Sequence, residues 1–222
     1  MRPTPFRVLP FSPEELDALV AAAPCLWWRA FIDLSGSTGL RAQEALRLHT
    51  SDVCEQTLSV RITSDPPDAF GGPEELTLRR RLPVHQERIV PAPPNVIGTL
   101  TRLRSERPED SHVFVPDWKL DQLWLRLVSH SQVTTDHLCP GIAAHFRMIQ
   151  RRARLVLARR SARPLSALEW RDRPIGSLRI TAAVRLAEEL SPHELAERLG
   201  CAGVRAVARF YSLHVVAKRG VA

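Results

Sequence analysis

Thr38-Gly39-Leu40-Arg41-Ala42-Gln43-Glu44-Ala45-Leu46 is the stretch on which the reading of this chain turns. Before it, Ser35 to Gly39 is a run of small residues that predicts a turn. After it, a helix is expected from about Arg41 to Leu48, closed by Ser51-Asp52-Val53. Upstream, the signals are helical. Ser12 can cap a helix, Pro13 suits its first position and Glu15 completes an S-x-x-E capping box, with Leu16, Leu19 and Val20 at helical spacing. Pro24 breaks or restarts this run, and a second helix is predicted over Trp27 to Leu34.

Downstream the period changes from 3.6 to 2. Leu58, Val60 and Ile62 alternate with polar residues, Leu76, Leu78, Arg80 and Leu82 alternate again, and Arg88-Ile89-Val90 forms a third short run that ends at Pro91. The simplest expectation is a three-stranded antiparallel meander over these runs. From Pro94 onward helices are predicted over Val96–Arg104, Leu120–Ser129, Ala143–Arg160, Leu178–Leu190, His193–Leu199 and Val204–Val216. Ser129 to Pro140 reads as a loop and Pro164 to Pro174 as a linker. Ser191-Pro192-His193-Glu194 repeats the capping signature of Ser12, and Gly200 stops the helix it opens. The pattern is a mainly α chain with a small antiparallel β-sheet, read as one domain over 1–222.

The chain has 222 residues, 44% apolar and 25% charged, with a net charge of +7. A basic excess of this size points to an anionic partner, nucleic acid being the commonest. Lysine occurs only at Lys119 and Lys218, so nearly all of the basic charge is arginine; part of the excess therefore fits a generally arginine-rich proteome. Cys25, Cys54, Cys139 and Cys201 are scattered, with no C-x-x-C pair, which speaks against a zinc cluster or a disulfide framework. No metal and no cofactor is expected. Met1 to Phe11 lacks the apolar core of a signal peptide, and no apolar run approaches the roughly 18–20 residues needed to span a bilayer. A soluble protein of the reducing cytoplasm is the expectation.

Several segments, in order, resemble the catalytic domain of the tyrosine recombinase (phage integrase) family. Pro10-Phe11-Ser12-Pro13-Glu14-Glu15-Leu16 is similar to its opening helix. Thr38 to Leu46 resembles its first arginine box, T-G-L-R-x-x-E-x-L; Arg88-Ile89-Val90-Pro91 resembles the end of its β-hairpin. Leu178-Arg179-Ile180-Thr181-Ala182-Ala183 resembles the second box, L-R-H-T-x-A. Leu199-Gly200-Cys201 resembles L-G-H, and Arg209-Phe210-Tyr211 the nucleophile segment. The resemblance spans about residues 10 to 214, and on this reading the family's N-terminal core-binding domain is not expected within these 222 residues. The short stretch from Ser212 to Ala222 likewise puts the family's tail-helix exchange between protomers in doubt.

The resemblance implies a fold and a chemistry. In such enzymes a tyrosine hydroxyl attacks a phosphodiester of duplex DNA and leaves a 3′-phosphotyrosyl link. Two arginines bind the non-bridging oxygens, a task suited to a permanently charged, bidentate guanidinium. Arg41 and Arg179 fill those positions and Tyr211, the single tyrosine, is the candidate nucleophile. Phosphate contacts are further expected from Arg80, Arg81, His85 and Arg88 about the hairpin and from Arg151 and Arg152 on the long helix.

The assisting groups depart from the family pattern. The hairpin lysine that protonates the leaving oxygen has no counterpart, since no lysine occurs before Lys119. Arginine is a poor proton donor in its place, with a pKa above roughly 12, while His85 could donate. The family's H-x-x-R histidine falls on Gly176, the histidine after the second arginine on Ile180, and the later histidine or tryptophan on Cys201. Counted from Cys201, the nucleophile position falls on Phe210; counted from Arg179, it falls on Tyr211. A one-residue slip turns a side chain by about 100° on a helix. Three functions stay open: a recombinase-like, double-stranded-DNA-binding protein of site-specific recombination or mobile-element integration with weak or no strand cleavage; an active, divergent recombinase using Tyr211; and a helical interaction module that no longer binds DNA. Expected partners are DNA and other recombinase subunits or a second copy, with no membrane, at a nucleoid-associated location in the cytoplasm.

Overall fold

The computed structural model describes residues 9–46, 48–63, 87–106, 112–114, 140–168 and 170–219. The run at 76–82, the helix over 120–129 and the loop over 129–140 expected above lie outside the described residues. So do Arg80, Arg81 and His85.

Eight α-helices and a three-stranded antiparallel sheet make up the described residues. Helix α1, Pro13–Ala22, starts as its sequence requires: Ser12 Oγ accepts from the Glu15 amide at 3.2 Å, and the Glu15 carboxylate accepts from the Ser12 amide at 2.8 Å. Helix α2, Leu26–Thr38, runs through the middle of the molecule with Trp28, Ala30, Phe31, Ile32 and Leu34 almost fully buried. Burying each large apolar side chain stabilises the fold by roughly 1.5–3 kcal/mol, which is why this helix anchors its neighbours.

The turn expected over Ser35 to Gly39 is corrected here: α2 continues through Thr38 and stops only at Gly39. The hydroxyls of Ser37 and Thr38 donate to the Leu34 carbonyl at 3.2 and 2.6 Å, so these residues meet their polar needs inside the helix. Gly39 is left-handed (φ 75°), and a Cβ on it would stand 2.5 Å from Leu199 Cδ2. Conformation and crowding both demand glycine there.

Helix α3, Ala42–Leu46, follows at once, and a 3-10 turn at Thr50–Asp52 leads into the sheet. Strands β1 (Val53–Cys54), β2 (Ser59–Ile62) and β3 (Arg88–Pro91) pair in the order β1-β2-β3, with Val60 opposite both Val53 and Val90. This corrects the expected meander. β2 pairs directly with β3, the run at 76–82 lies outside the described residues, and β1 was too short to show a period of 2. Leu58, expected in a strand, sits in a turn with φ 47°. Val60 and Val90 are fully buried, whereas Ile89 is 68% exposed on the other face.

Helix α4, Pro94–Ser105, packs on α2, and the long helix α5, Pro140–Ser161, packs on α1. The linker expected over 164–174 holds a 3-10 turn at Leu165–Ala167. Its end is fixed by the buried Gln150, which donates to the Arg173 carbonyl and accepts from the Arg173 amide, both at 2.8 Å. The Arg173 guanidinium pairs with Glu15 at 2.6 and 3.0 Å. These contacts set the start of helix α6, Ser177–Leu186, against α2. Helices α7, Pro192–Leu199, and α8, Val204–Arg219, complete the chain. With α6 they enclose a second, smaller core of Ala183, Leu186, Leu195, Leu199, Val207 and Phe210.

Candidate functional site

Three arginines from distant parts of the chain meet at the C-terminal end of α7. The last carbonyls of a helix have no partner within it and carry the negative end of its dipole. Here the Arg198 carbonyl accepts from Arg88 Nε at 3.1 Å, the Leu199 carbonyl from Arg179 Nη2 at 2.7 Å, and the Gly200 carbonyl from Arg41 Nη2 at 3.3 Å. Gly200 turns the chain into the left-handed region (φ 60°), with the Arg88 guanidinium 2.6 Å from where a Cβ would stand. Arg179 Nη1 donates in addition to the carbonyl of Gly39 at 2.6 Å. The two left-handed glycines that end α2 and α7 thus offer the carbonyls that aim the guanidiniums.

One carboxylate binds the group together. Glu44 accepts from the Arg41 amide at 2.8 Å, the third-position carboxylate of a helix reaching back to its cap. The same carboxylate takes Arg88 Nη2 at 2.9 Å, Arg41 Nη1 at 3.5 Å and Arg179 Nη1 at 3.9 Å. Glu44 is 4% exposed, Arg88 9% and Arg179 14%, so these charges act at short range in a dry setting. Three guanidiniums thus share this one carboxylate. Burial lowers the pKa of Arg179 below the usual arginine value, Glu44 opposes that shift and Arg41 adds to it; the guanidinium stays charged all the same.

Arg41 is the most open of the three at 27% exposure. Arg41 and Arg179 border a pocket of about 190 Å³ whose other walls include Phe31, Leu40, Ile175 and Gly176. An anion at this mouth would meet two guanidiniums already oriented by main-chain carbonyls, the arrangement that binds phosphate oxygens without reorganisation. Among the described residues no group of three or more His, Cys, Asp or Glu could hold a metal, and no helix is long and apolar enough to cross a membrane.

No protein-family model and no curated protein matches the sequence. Solved structures do match in shape. The chain superposes on XerA recombinase with a TM-score of 0.64 at 19% identity, over 96% of this chain and 63% of that one. Against the Tn1549 transposon integrase in complex with transposon right end DNA the TM-score is 0.59 at 14% identity, over 96% and 65%. Against a lambda integrase tetramer bound to a Holliday junction it is 0.53 at 14% identity, over 91% and 47%. The chain has the fold of a tyrosine recombinase catalytic domain. At these identities the likeness is one of fold, and the chain spans less than two thirds of the length of those proteins.

Within that recombinase fold, the sequence-predicted pair Arg41 and Arg179 does converge, across 138 positions of chain, and Arg88 joins it as a buried partner of Glu44. Gly176 lies on the pocket wall; a Cβ there would meet nothing within 4 Å. Cys201 places its sulfur 3.6 Å from Arg179 Nη2, and Ile180 packs against the smaller core. Arg151 and Arg152 are exposed on α5, whose main packing partner is α1, apart from the helix ends that gather the three arginines.

The candidate nucleophile lies elsewhere. The Tyr211 hydroxyl donates to the Leu190 carbonyl at 2.7 Å, beyond the end of α6. Burial, and after it the Glu194 carboxylate, push its pKa up, the reverse of what a nearby arginine pair does to a phenol. Phe210, the alternative register, is 1% exposed inside the smaller core. Sequence reasoning missed Glu44 as the hub, and also Arg185, which donates to the Ser37 carbonyl at 2.7 Å, and Arg198, which donates to the Pro91 carbonyl at 2.9 Å. The R-x-x-E spacing of Arg41 and Glu44 is the signal that could have found the hub.

Proposed function

We propose that this protein binds duplex DNA in the manner of a site-specific recombinase or integrase, with weak or absent strand cleavage of its own, in recombination or integration of a mobile element. The observation that carries the reading is the convergence of Arg41 and Arg179 at a pocket mouth, held by helix-end carbonyls and the Glu44 carboxylate. A phosphodiester is the anion that two converging guanidiniums suit on a chain of net charge +7. Relatives in fold are recombinases and integrases solved with DNA, which supports DNA as the ligand here. Weak cleavage is supported by Tyr211, whose hydroxyl is engaged by Leu190, and by the lack of a histidine at Gly176, Ile180 or Cys201.

A nicked duplex that traps a covalent phosphotyrosyl adduct tests the reading alongside a mobility shift at low salt. The expected result is a shift that weakens in Arg41→Ala and Arg179→Ala, with no adduct. An adduct that disappears in Tyr211→Phe would establish an active recombinase instead. A shift unchanged by both arginine variants, or no shift at all, would leave an interaction module.

A further inference from the structure

The C-terminal end of α7 is the platform on which the arginine pair rests. Its Leu199 and Gly200 carbonyls aim Arg179 and Arg41, so those guanidiniums are only as well placed as the helix end itself. The bond from Arg41 to the Gly200 carbonyl, at 3.3 Å, is already long for an N–H···O contact, and a small shift of the helix end releases it. The eight residues of α7, about two turns, cannot hold a position without tertiary contacts. Leu195 and Leu199 anchor the helix in the smaller core. Its end is further stitched to strand β3 by two arginine bonds that run in opposite directions. Arg88 Nε donates to the Arg198 carbonyl at 3.1 Å, and Arg198 Nη2 donates to the Pro91 carbonyl at 2.9 Å. Arg88 and Pro91 are the first and last residues of β3, roughly 10 Å apart at the usual rise of an extended strand. One bond would leave the helix end free to pivot; two at that separation hold its orientation as well.

The geometry points to Arg198 as a positioning residue of the phosphate clamp. Its guanidinium makes no contact with the bound phosphate. Its bond to Pro91 keeps the α7 end where the Leu199 and Gly200 carbonyls meet Arg179 and Arg41. Arg88, at 9% side-chain exposure, holds the same end from the buried side. Arg198 is partly exposed, so its removal loosens the stitch with less damage to the core than removal of Arg88. The inference rests on the reading of Arg41 and Arg179 as ligands of a DNA phosphate.

Duplex binding by the full chain at low salt, read by fluorescence anisotropy, tests this as a double-mutant cycle between Arg198→Met and the Arg41→Ala/Arg179→Ala clamp variant. Thermal melting checks that each variant is folded; if Arg198→Met does not fold, Arg198→Gln takes its place. In the parent, Arg198→Met is expected to weaken binding on the order of three- to tenfold, the scale of one lost hydrogen bond. In the clamp variant, where duplex binding is left to other basic residues, the same change is expected to alter affinity by less than about twofold. Arg198→Lys, whose ammonium can still donate to the Pro91 carbonyl, is expected to restore most of the loss. A loss of equal size in both backgrounds makes Arg198 a direct phosphate ligand and overturns the proposal. No loss in the parent, or a lysine variant as weak as the methionine one, overturns it too. If the clamp variant is weakened while Arg198→Met is not, the positioning role fails and the phosphate clamp stands. If the clamp variant binds as tightly as the parent, the clamp itself fails and the positioning role with it.

Discussion

Removing the charge of Glu44 is the perturbation that the arginine cluster should feel most. Its carboxylate is 4% exposed and serves Arg88 at 2.9 Å, the Arg41 amide at 2.8 Å, Arg41 Nη1 at 3.5 Å and Arg179 Nη1 at 3.9 Å. Glu44→Ala leaves three guanidiniums, two of them largely buried, without their shared counter-charge. Breaking a buried pair by deleting one partner costs about 3–5 kcal/mol. For a chain of this size about 1 kcal/mol moves the melting temperature by roughly 2–4 °C, so the variant should melt roughly 6–20 °C lower. The loss should depend on Arg88. Replacing Glu44 and Arg88 together by methionine removes the shortest and most buried of these pairs but leaves Arg41 and Arg179 without Glu44, so it should recover only part of that stability. Urea titration and thermal melting of the parent, the two single variants and the double variant measure the coupling. A Glu44→Ala loss below about 1 kcal/mol, or a double variant no better than the singles, would refute a buried hub and reduce Glu44 to a surface pair.

Other residues give independent expectations. Gly39→Ala must accept φ 75° and a Cβ 2.5 Å from Leu199 Cδ2; it should cost about 2–4 kcal/mol in urea unfolding and weaken DNA binding by shifting the carbonyl that orients Arg179. Phe210→Ala should cost about 3–5 kcal/mol as a core deletion, whereas Tyr211→Phe should cost only about 0.5–1.5 kcal/mol for its bond to Leu190, by the same assay. Asp33 is held above the usual carboxylate pKa by burial, with Arg29 opposing and Asp17 adding. A carboxyl with a raised folded pKa stabilises most below its unfolded value of 3.8 and loses that contribution as pH rises through the folded value. Asp33→Asn should therefore melt higher than the parent at pH 7, with the difference fading toward pH 4; a variant that melts lower at pH 7 would contradict this.

Much of the fold was readable in residue patterns with a local cause. The capping boxes of Ser12 and Ser191 and the stop at Gly200 act within four residues, and the helices begin and end where they indicate. Ser35 to Thr38 misled because small polar residues signal a turn only when exposed. Here they are buried beside α6, and the hydroxyls of Ser37 and Thr38 bond back to Leu34, so tertiary packing overrides propensity. β1 has two residues, too few for alternation to register. For the site, Arg41 and Arg179 were legible as a motif pair, but not what holds them. Helix-end carbonyls and a carboxylate shared by three arginines are products of the assembled chain. The engagement of Tyr211 by Leu190 could not be foreseen either, because a helical slip of one residue is undetermined until the turn at Ala202-Gly203 is built.

The most direct test of the phosphate clamp is the salt dependence of duplex binding, read by fluorescence anisotropy for the parent protein and for the Arg41→Ala/Arg179→Ala double variant. Thermal melting of the variant checks that it is folded, with Arg41→Ala alone, the more exposed position, as the fallback. Log affinity should fall linearly with log salt in the parent. In the variant it should be weaker, with a slope shallower by about 0.9, because both guanidiniums meet one phosphate. A folded variant with the parent's affinity and slope would place DNA binding elsewhere on the chain and contradict the clamp.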